Sequence, residues 1–364
     1  MKRPCDPDAM AEASRDARVV PSGAACRINA LSTDVLLRAI SFLEARQLVQ
    51  TCVLSRRWRN LWRSVPRINA SHDEFDGKAG TEIAYDVLFK NFINRFLMLR
   101  NPVALHEFRL QYNIPDGSND PVADSRDANL WIRHALQSNV RLIEVFGGSI
   151  DLHLDPAVFA SKFCFVTSML LTLVFLEPPF FKNLRTGCTV LERLVLRSCI
   201  IYHPEISSHT LKVLTIDANC YCTFEGRATI SIPSLIDLHF FPDGADGARI
   251  PLLKNMESLV TASFAFGTND DLVDDMCQFL WSLHGITDLE FNYRGPQSYP
   301  NLEDNLEDRS FTCEHLEDRS FTCEHLVMVK IFCLDTYGEY DPLVNSLVVF
   351  LSDNGINPGQ ISIN

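Results

Sequence analysis

Apolar residues are concentrated in a short segment near the start of the chain, residues 26–66. At 100° per residue, the apolar side chains between Val35 and Leu43 cover an arc of about 220° on a helix. A helix that packs only on its own domain needs an apolar stripe of roughly 100°. The wider arc predicts that this helix also contacts a second surface.

The second half of the same segment repeats this pattern. Trp58, Leu61, Trp62 and Val65 follow the i, i+3, i+4, i+7 spacing of another helix, and residues 47–55 supply further apolar side chains between the two. A unit of about 40 residues is near the lower limit for a self-supporting core. We therefore expect three short helices that fold against a partner.

Further along the chain, an apolar-x-x-apolar-x-apolar pattern recurs. It starts at Leu105, Val140, Leu170, Leu191, Leu211, Leu235, Leu259, Ile286 and Leu326. The central copies are 20 to 27 residues apart, a period similar to that of leucine-rich repeats. Each copy predicts one strand and a return segment, stacked into a solenoid with a parallel sheet. The alternative, a two-sheet sandwich, would have strands every 8 to 12 residues.

The third, fifth and seventh positions of each copy are predicted to face solvent, because side chains alternate along a strand. They change from basic to acidic along the array and could bind a target protein of mixed charge. An ordinary solvated strand face is the alternative. The candidate target-binding residues are Arg193, Arg197, Asp217, Asp237, His239, Phe241, Asp288 and Glu290.

The N-terminal segment resembles a known family in residues Leu31, 34–37, 40–43, 52–58 and 61–62. This ordered match is similar to the F-box of plant F-box/leucine-rich-repeat proteins, including those that end in an FBD segment. The resemblance implies a segment that binds a Skp-family adaptor and, through it, a cullin. The adaptor-binding residues it implies are Leu31, Leu36, Leu37, Ile40, Leu43, Val49, Val53, Leu54, Trp58, Leu61 and Trp62.

The chain departs from the family at one position. The family usually begins Leu-Pro, and here Ser32 follows Leu31. Because Ser32 or Thr33 can cap the helix by accepting a backbone hydrogen bond, we expect weaker adaptor binding and not its loss. A scaffold or decoy that no longer recruits a ligase remains the alternative.

These patterns predict an α/β protein in five parts. They are a disordered leader (1–25), a three-helix F-box (26–66), a helical connector with the first repeat (67–139), a leucine-rich-repeat-like solenoid (140–324) and an FBD-like end (325–364). The decapeptide at 306–315 recurs unchanged at 316–325, which predicts a loop or an extra turn. The FBD resemblance implies a strand-helix-strand order.

Charge indicates the kind of partner. The chain carries a net charge of -13, whereas residues 27–67 have eight arginines against Asp34 and Glu44. A basic segment with two tryptophans could bind nucleic acid, but its arginines alternate with apolar residues and the rest of the chain would repel phosphates. The pattern favours an acidic protein partner.

We find no motif for catalysis or for a cofactor. The twelve cysteines are scattered, the Cys220-Tyr-Cys222 and Cys-Glu-His spacings do not form a zinc set, and no apolar run is long enough to cross a membrane. We expect reduced thiols, no metal, no cofactor, and a location in the nucleus, the cytoplasm or both. The predicted function is that of a non-enzymatic substrate-recognition subunit of an SCF-type (Skp, cullin, F-box) ubiquitin ligase.

Overall fold

The computed structural model describes residues 27–76, 82–114, 120–148, 152–244, 249–266, 272–283, 285–293, 325–333, 342–353 and 355–363. Its first part is mainly helical, and the remainder is built around parallel strands. The chain is thus a mixed α/β protein. The predicted leader and the duplicated decapeptide, apart from His325, lie outside the described residues.

The N-terminal segment contains two short α-helices, α1 (Thr33–Ile40) and α2 (Ala45–Gln50), where three helices were predicted. The predicted helix around Trp58 is a 3-10 helix, Trp58–Ser64. It stops before Pro66, and Val65 is extended (ψ 138°), because proline disfavours helical backbone in the residue that precedes it. Two shorter 3-10 helices complete the segment, Arg27–Ala30 and Thr51–Val53.

Both α-helices begin at a side chain that satisfies free backbone N–H groups. The Ser32 hydroxyl accepts a hydrogen bond from the Val35 N–H at 3.3 Å, which confirms the predicted cap. Glu74 caps α2 although it lies far from this helix in the sequence. Its carboxylate accepts hydrogen bonds from the N–H groups of Arg46 (3.1 Å) and Gln47 (3.2 Å). This contact joins the N-terminal segment to the 3-10 helix His72–Phe75.

An eleven-stranded sheet forms the body of the molecule, and every neighbouring pair in it is parallel. Its strands follow one another in chain order. They are β1 (Arg67–Ser71), β2 (Glu107–Gln111), β3 (Leu142–Phe146), β5 (Ser168–Thr172), β7 (Arg193–Arg197), β10 (Val213–Ile216), β13 (Asp237–Phe240), β16 (Thr261–Phe266), β17 (Asp288–Tyr293), β18 (Met328–Cys333) and β19 (Ile361–Ile363).

The apolar pattern predicts the positions of most of these strands accurately. Eight strands begin two residues after a predicted start, for example β7 after Leu191. The start at Leu170 is wrong: Val166, Met169 and Leu171 are the buried members of that copy. With Val166 as its start, the copy lies 26 residues after Val140 and 25 before Leu191. Residues Val65, Ile68 and Ala70 form a further copy on β1, which the predicted starts did not include.

Eight short strands form two further parallel sheets. One sheet contains β4 (Leu152–Leu154), β6 (Val174–Leu176), β8 (Ile200–Ile201), β11 (Tyr221–Cys222) and β14 (Asp243–Gly244). The other contains β9 (Glu205–Ser207), β12 (Thr229–Ser231) and β15 (Leu252–Lys254).

Sharp turns connect the large sheet to the first small one. Leu173 (φ 55°), between β5 and β6, and Ser198 (φ 49°), between β7 and β8, both have positive φ. Gly148 (φ 58°) follows β3, and a Cβ atom on it would lie 1.6 Å from the Asn113 side-chain oxygen. Only glycine fits at that close approach.

Six further α-helices lie between strands along the described part of the chain. They are α3 (Glu82–Leu99), α4 (Pro121–Asp124), α5 (Arg126–Gln137), α6 (Phe180–Gly187), α7 (Leu272–Trp281) and α8 (Pro342–Asp353). On α3, Phe89 is fully buried and Val87 is half exposed. At the end of the chain, β18, α8 and β19 have the predicted strand-helix-strand order.

Candidate functional surfaces

The N-terminal segment exposes an unusual amount of apolar surface. Six large side chains around α1 and the 3-10 helices range from 40% exposed at Leu31 to 83% at Val53, and we call them the N-terminal apolar set: Ile28, Leu31, Val35, Phe42, Val53 and Leu54. Large exposed apolar patches on soluble proteins mark sites of interaction. Covering such side chains contributes on the order of 1 kcal/mol or more each, since full burial is worth about 1.5–3 kcal/mol.

The structure divides the predicted adaptor-binding residues into three groups. Leu31, Val53 and Leu54 are exposed, and Leu37, Leu43 and Val49 are partly buried. The remaining five are buried within this chain: Leu36, Ile40, Trp58, Leu61 and Trp62. Adaptor binding by these five stays a prediction, and their burial shows that they also hold the fold together.

Part of the apolar excess in this segment is covered by the chain itself. The ring of Trp62 stacks on Phe96 of α3 at a centroid distance of 5.2 Å, and the guanidinium of Arg46 lies over the Phe75 ring at 5.1 Å. The segment therefore packs partly on its own chain, and its packing on a partner stays a prediction. Its packing surface is shared between the chain's own α3 and solvent.

Three exposed members of the N-terminal apolar set were not among the predicted site residues: Ile28, Val35 and Phe42. Val35 and Phe42 belong to the 220° arc described above, roughly twice what one packing face needs. The width of this apolar arc was the feature of the sequence that could have indicated Val35 and Phe42 as site residues. It could not show which of its members face outward, because apolar residues occupy both sides of the helix.

Several cationic side chains lie near members of the N-terminal apolar set. Arg56, Arg57 and Arg59 are exposed next to Leu54 in the chain, and the guanidinium of Arg67 lies over the Phe42 ring at 4.9 Å. A surface that combines apolar and basic groups complements an apolar and acidic one. The geometry therefore suits an acidic protein partner.

The solvent face of the large sheet carries the candidate target-binding residues. Arg193 and Arg197 are exposed on β7 while Leu194 and Leu196 between them are buried. Among the residues that the structure describes, neither guanidinium has an ion-pair partner. Two free cations on one strand are available to an acidic group of another molecule.

Asp217 has a structural role that its predicted assignment did not include. Its carboxylate accepts hydrogen bonds from the N–H groups of Ser198 and Asn219, both at 3.1 Å. These bonds link two turns that follow neighbouring strands, β7 and β10. Asp217 is therefore a poor candidate for target binding, although its side chain is partly accessible.

The acidic part of the sheet face is brought together on β13 and β17. Asp237 accepts from the Thr261 hydroxyl at 2.6 Å and lies 3.2 Å from His239 Nε2, and the His239 and Phe241 rings stack at 6.4 Å. On β17, Asp288 is exposed and Glu290 accepts from the Asn292 side chain at 3.2 Å. Val213 on β10 separates Asp237 from Arg193 in the same row.

A second charged region of this face was missed. Arg67, Glu107, Arg109 and Glu144 lie on β1, β2 and β3, where Arg67 pairs with Glu107 at 3.3 Å and Arg109 with Glu144 at 2.9 Å. Arg109 also pairs with Glu107. The apolar pattern predicts β2 and β3, but the predicted target-binding positions lie only on later strands. These charges neutralise each other, unlike Arg193 and Arg197.

Three buried cysteines offer little reactivity. Burial raises the pKa of Cys188 and of Cys222 to about 12, and a hydrogen bond with Cys199, together with burial, raises the pKa of Cys220. A thiol with a raised pKa is a weak nucleophile because the thiolate is the reactive form. The described ranges contain no His/Cys/Asp/Glu cluster suited to a metal ion. Nor does any helix within them have the length and apolar character needed to cross a membrane.

Comparison with known proteins identifies the N-terminal segment. The F-box domain model matches residues 28–69. An FBD-associated F-box protein of Arabidopsis thaliana is 26% identical over 262 residues, which cover 67% of this chain and 55% of that protein. An F-box/LRR-repeat protein of the same plant is 27% identical over 280 residues, 68% of this chain and 51% of that protein.

A putative F-box/FBD/LRR-repeat protein of Arabidopsis thaliana is 26% identical over 273 residues, 66% of this chain and 60% of that protein. The chain spans about half the length of the curated relatives it matches first. None of these matches indicates a catalytic family. Residues 28–69 are therefore an F-box domain, and the chain beyond them is similar to plant F-box proteins whose names include FBD and leucine-rich repeats.

Proposed function

We propose that this chain is the substrate-recognition subunit of an SCF-type ubiquitin ligase. Its F-box domain binds a Skp-family adaptor, which connects the chain to a cullin. Its parallel strands and the segments between them form a leucine-rich-repeat solenoid that binds a protein target. The chain itself is not catalytic. The observation that carries the proposal is the N-terminal apolar set, which lies within the F-box match and is left exposed by the part of the chain that the structure describes.

The mechanism follows from holding two proteins at once. A target bound to the solenoid and a ubiquitin-charged enzyme bound to the cullin share one assembly, so a target lysine meets the ubiquitin thioester at a raised effective concentration. Ubiquitin transfer then needs no nucleophile from this chain. The raised pKa values of Cys188 and Cys222 are compatible with that role.

A binding experiment with a purified Skp-family adaptor tests the proposal. Val53 and Leu54 are exposed, so Val53→Asp and Leu54→Asp place a charge in the interface without disturbing the core. We expect each variant to bind the adaptor at least about ten-fold more weakly, a change of 1.4 kcal/mol. Titration calorimetry measures the affinities.

A matched control is available on α4. Val122 is 54% exposed and lies outside the F-box match, so Val122→Asp should bind the adaptor like the wild type. Leu36→Asp is a poorer test because Leu36 is buried, and the variant would unfold the segment. If wild type fails to bind every adaptor tested, the chain is instead a scaffold or decoy, as the Ser32 departure would allow.

A further inference from the structure

A groove of about 810 Å³ lies between the C-terminal halves of α3 and α5, where the chain turns into β2 and β3. Ligand sites in proteins commonly have volumes of about 300–1,000 Å³. The residues that form the groove belong neither to the N-terminal apolar set nor to the solvent face of the large sheet. It is therefore separate from both surfaces of the proposed function.

Two polar side chains in the groove have buried atoms without a hydrogen-bond partner. Arg100 donates from Nη1 to the Val65 carbonyl at 3.0 Å, but its Nη2 is buried and has no partner in the described structure. His134 Nδ1 is also buried and has no hydrogen-bond partner in the described structure. A buried donor left without a partner costs about 1–3 kcal/mol.

Within the described ranges, neither of these two groups has an ion-pair partner. Burial lowers the pKa of Arg100 to about 10, and burial together with the nearby Arg100 lowers the pKa of His134. The described residues that line the groove include no aspartate or glutamate. In a chain with a net charge of -13, a basic pocket without an acidic residue is suited to an anion.

The helix end beside His134 does not oppose an anion strongly. The His134 carbonyl already accepts two hydrogen bonds from Ser138, from its N–H at 3.0 Å and its hydroxyl at 2.9 Å. The carbonyl charge that normally accumulates at a helix C-terminus is thereby partly satisfied.

The rim of the groove is apolar. Leu130 is 60% exposed and Met98 83% exposed, and Val103 lies at the same rim. At its floor, Trp131 is buried and already donates its indole N–H to Asn94 at 2.7 Å. Trp131 therefore adds only apolar ring surface.

We propose that this groove binds a small amphipathic carboxylate. The carboxylate accepts a charge-assisted hydrogen bond from Arg100 Nη2 and a second one from the Nδ1–H tautomer of His134. The apolar stem packs against Leu130 and Met98. Because both donor atoms are covered by neighbouring side chains, binding requires rotamer changes of the kind common at binding sites.

Octanoate is a suitable probe for the full chain, followed by titration calorimetry and thermal unfolding. Octanamide keeps the stem without the charge, and acetate keeps the charge without the stem. We expect octanoate to bind at least about ten-fold more tightly than either, a difference of 1.4 kcal/mol. Equal binding of octanoate and octanamide would overturn the assignment of the carboxylate.

Two surface variants locate the probe. Leu130→Asp adds a negative charge at the rim and should reduce octanoate affinity about ten-fold, whereas Val122→Asp, on an exposed side chain outside the groove, should leave it unchanged. Arg100→Met should remove the preference for octanoate over octanamide. Should Arg100→Met not fold, the Leu130→Asp comparison still decides: unchanged octanoate binding in that variant refutes the proposal.

Discussion

His72 is an unusual residue for the junction between the F-box domain and the large sheet. Its side chain is only 4% exposed and contacts the rings of Tyr85, Phe89 and Tyr112 at 5.1 to 5.6 Å. Its Nε2 is 3.8 Å from Asp86, too far for a hydrogen bond. Burial is the largest influence and lowers the pKa of His72, although Asp86 opposes it.

The lowered pKa of His72 makes stability depend on pH. The native state keeps the imidazole neutral, whereas the unfolded chain takes up a proton near pH 6.5, the ordinary histidine value. The contribution of His72 is therefore fully present above pH 6.5 and is lost as the pH falls from there toward the lower native pKa. Each pKa unit of separation is worth about 1.4 kcal/mol.

We expect the free energy of unfolding to decrease below pH 6.5 more steeply in wild type than in His72→Gln. Urea denaturation at several pH values from 7 to 5 measures the slopes. His106→Gln is the control because that histidine is exposed, and it should keep the wild-type slope. Identical slopes in wild type and His72→Gln would show that folding leaves the pKa of His72 unchanged.

At the scale of elements, the sequence predicts the large sheet well because each copy alternates buried and solvent-facing positions. The prediction of a repeat start at Leu170 fails for a physical reason. Residues 169–171 and 173–176 are all apolar, so two strand registers satisfy the apolar pattern. Only the burial of Met169 and Leu171 distinguishes them. The two small sheets were missed because strands of two or three residues are too short to show a period of two.

The candidate surfaces were less predictable than the strands. The F-box pattern located the segment, but an arc that is apolar on both sides cannot show that Leu36 is buried while Val35 is half exposed. Likewise, the alternation on β10 indicated that Asp217 faces outward, but not that its carboxylate bonds to Ser198 on another turn. Such details depend on residues distant in sequence.

Alternation on β7 leads to a direct prediction. Leu194 is fully buried and pairs with Met169 and Leu214 on the neighbouring strands, so Leu194→Ala should cost about 2–5 kcal/mol through lost burial and a cavity. Val195 lies on the solvent face of the same strand, and Val195→Ala should cost less than about 1 kcal/mol. Chemical denaturation followed by circular dichroism measures both. Similar losses would contradict the assignment of the two faces.

At the scale of the whole molecule, the proposed function requires two surfaces on one continuous structure. The buried apolar residues of the F-box domain and of the sheet belong to a single hydrophobic cluster, and β1 begins directly after the 3-10 helix that contains Trp58. Continuous packing of this kind limits the motion between adaptor and target. The distance between a bound target lysine and the ubiquitin thioester is then set largely by the fold.

The two surfaces should therefore be separable by mutation although activity needs both. Val53→Asp should lose adaptor binding and keep target capture, while the double variant Arg193→Glu, Arg197→Glu should lose capture of an acidic target and keep adaptor binding. Reconstituted ligase assays should show ubiquitination of the target reduced by about ten-fold or more in either case. Mixing the two variants should not restore it, because a target held on one chain is not held beside a cullin on the other. Restored ubiquitination in the mixture, or loss of adaptor binding in the arginine variant, would refute the two-surface arrangement.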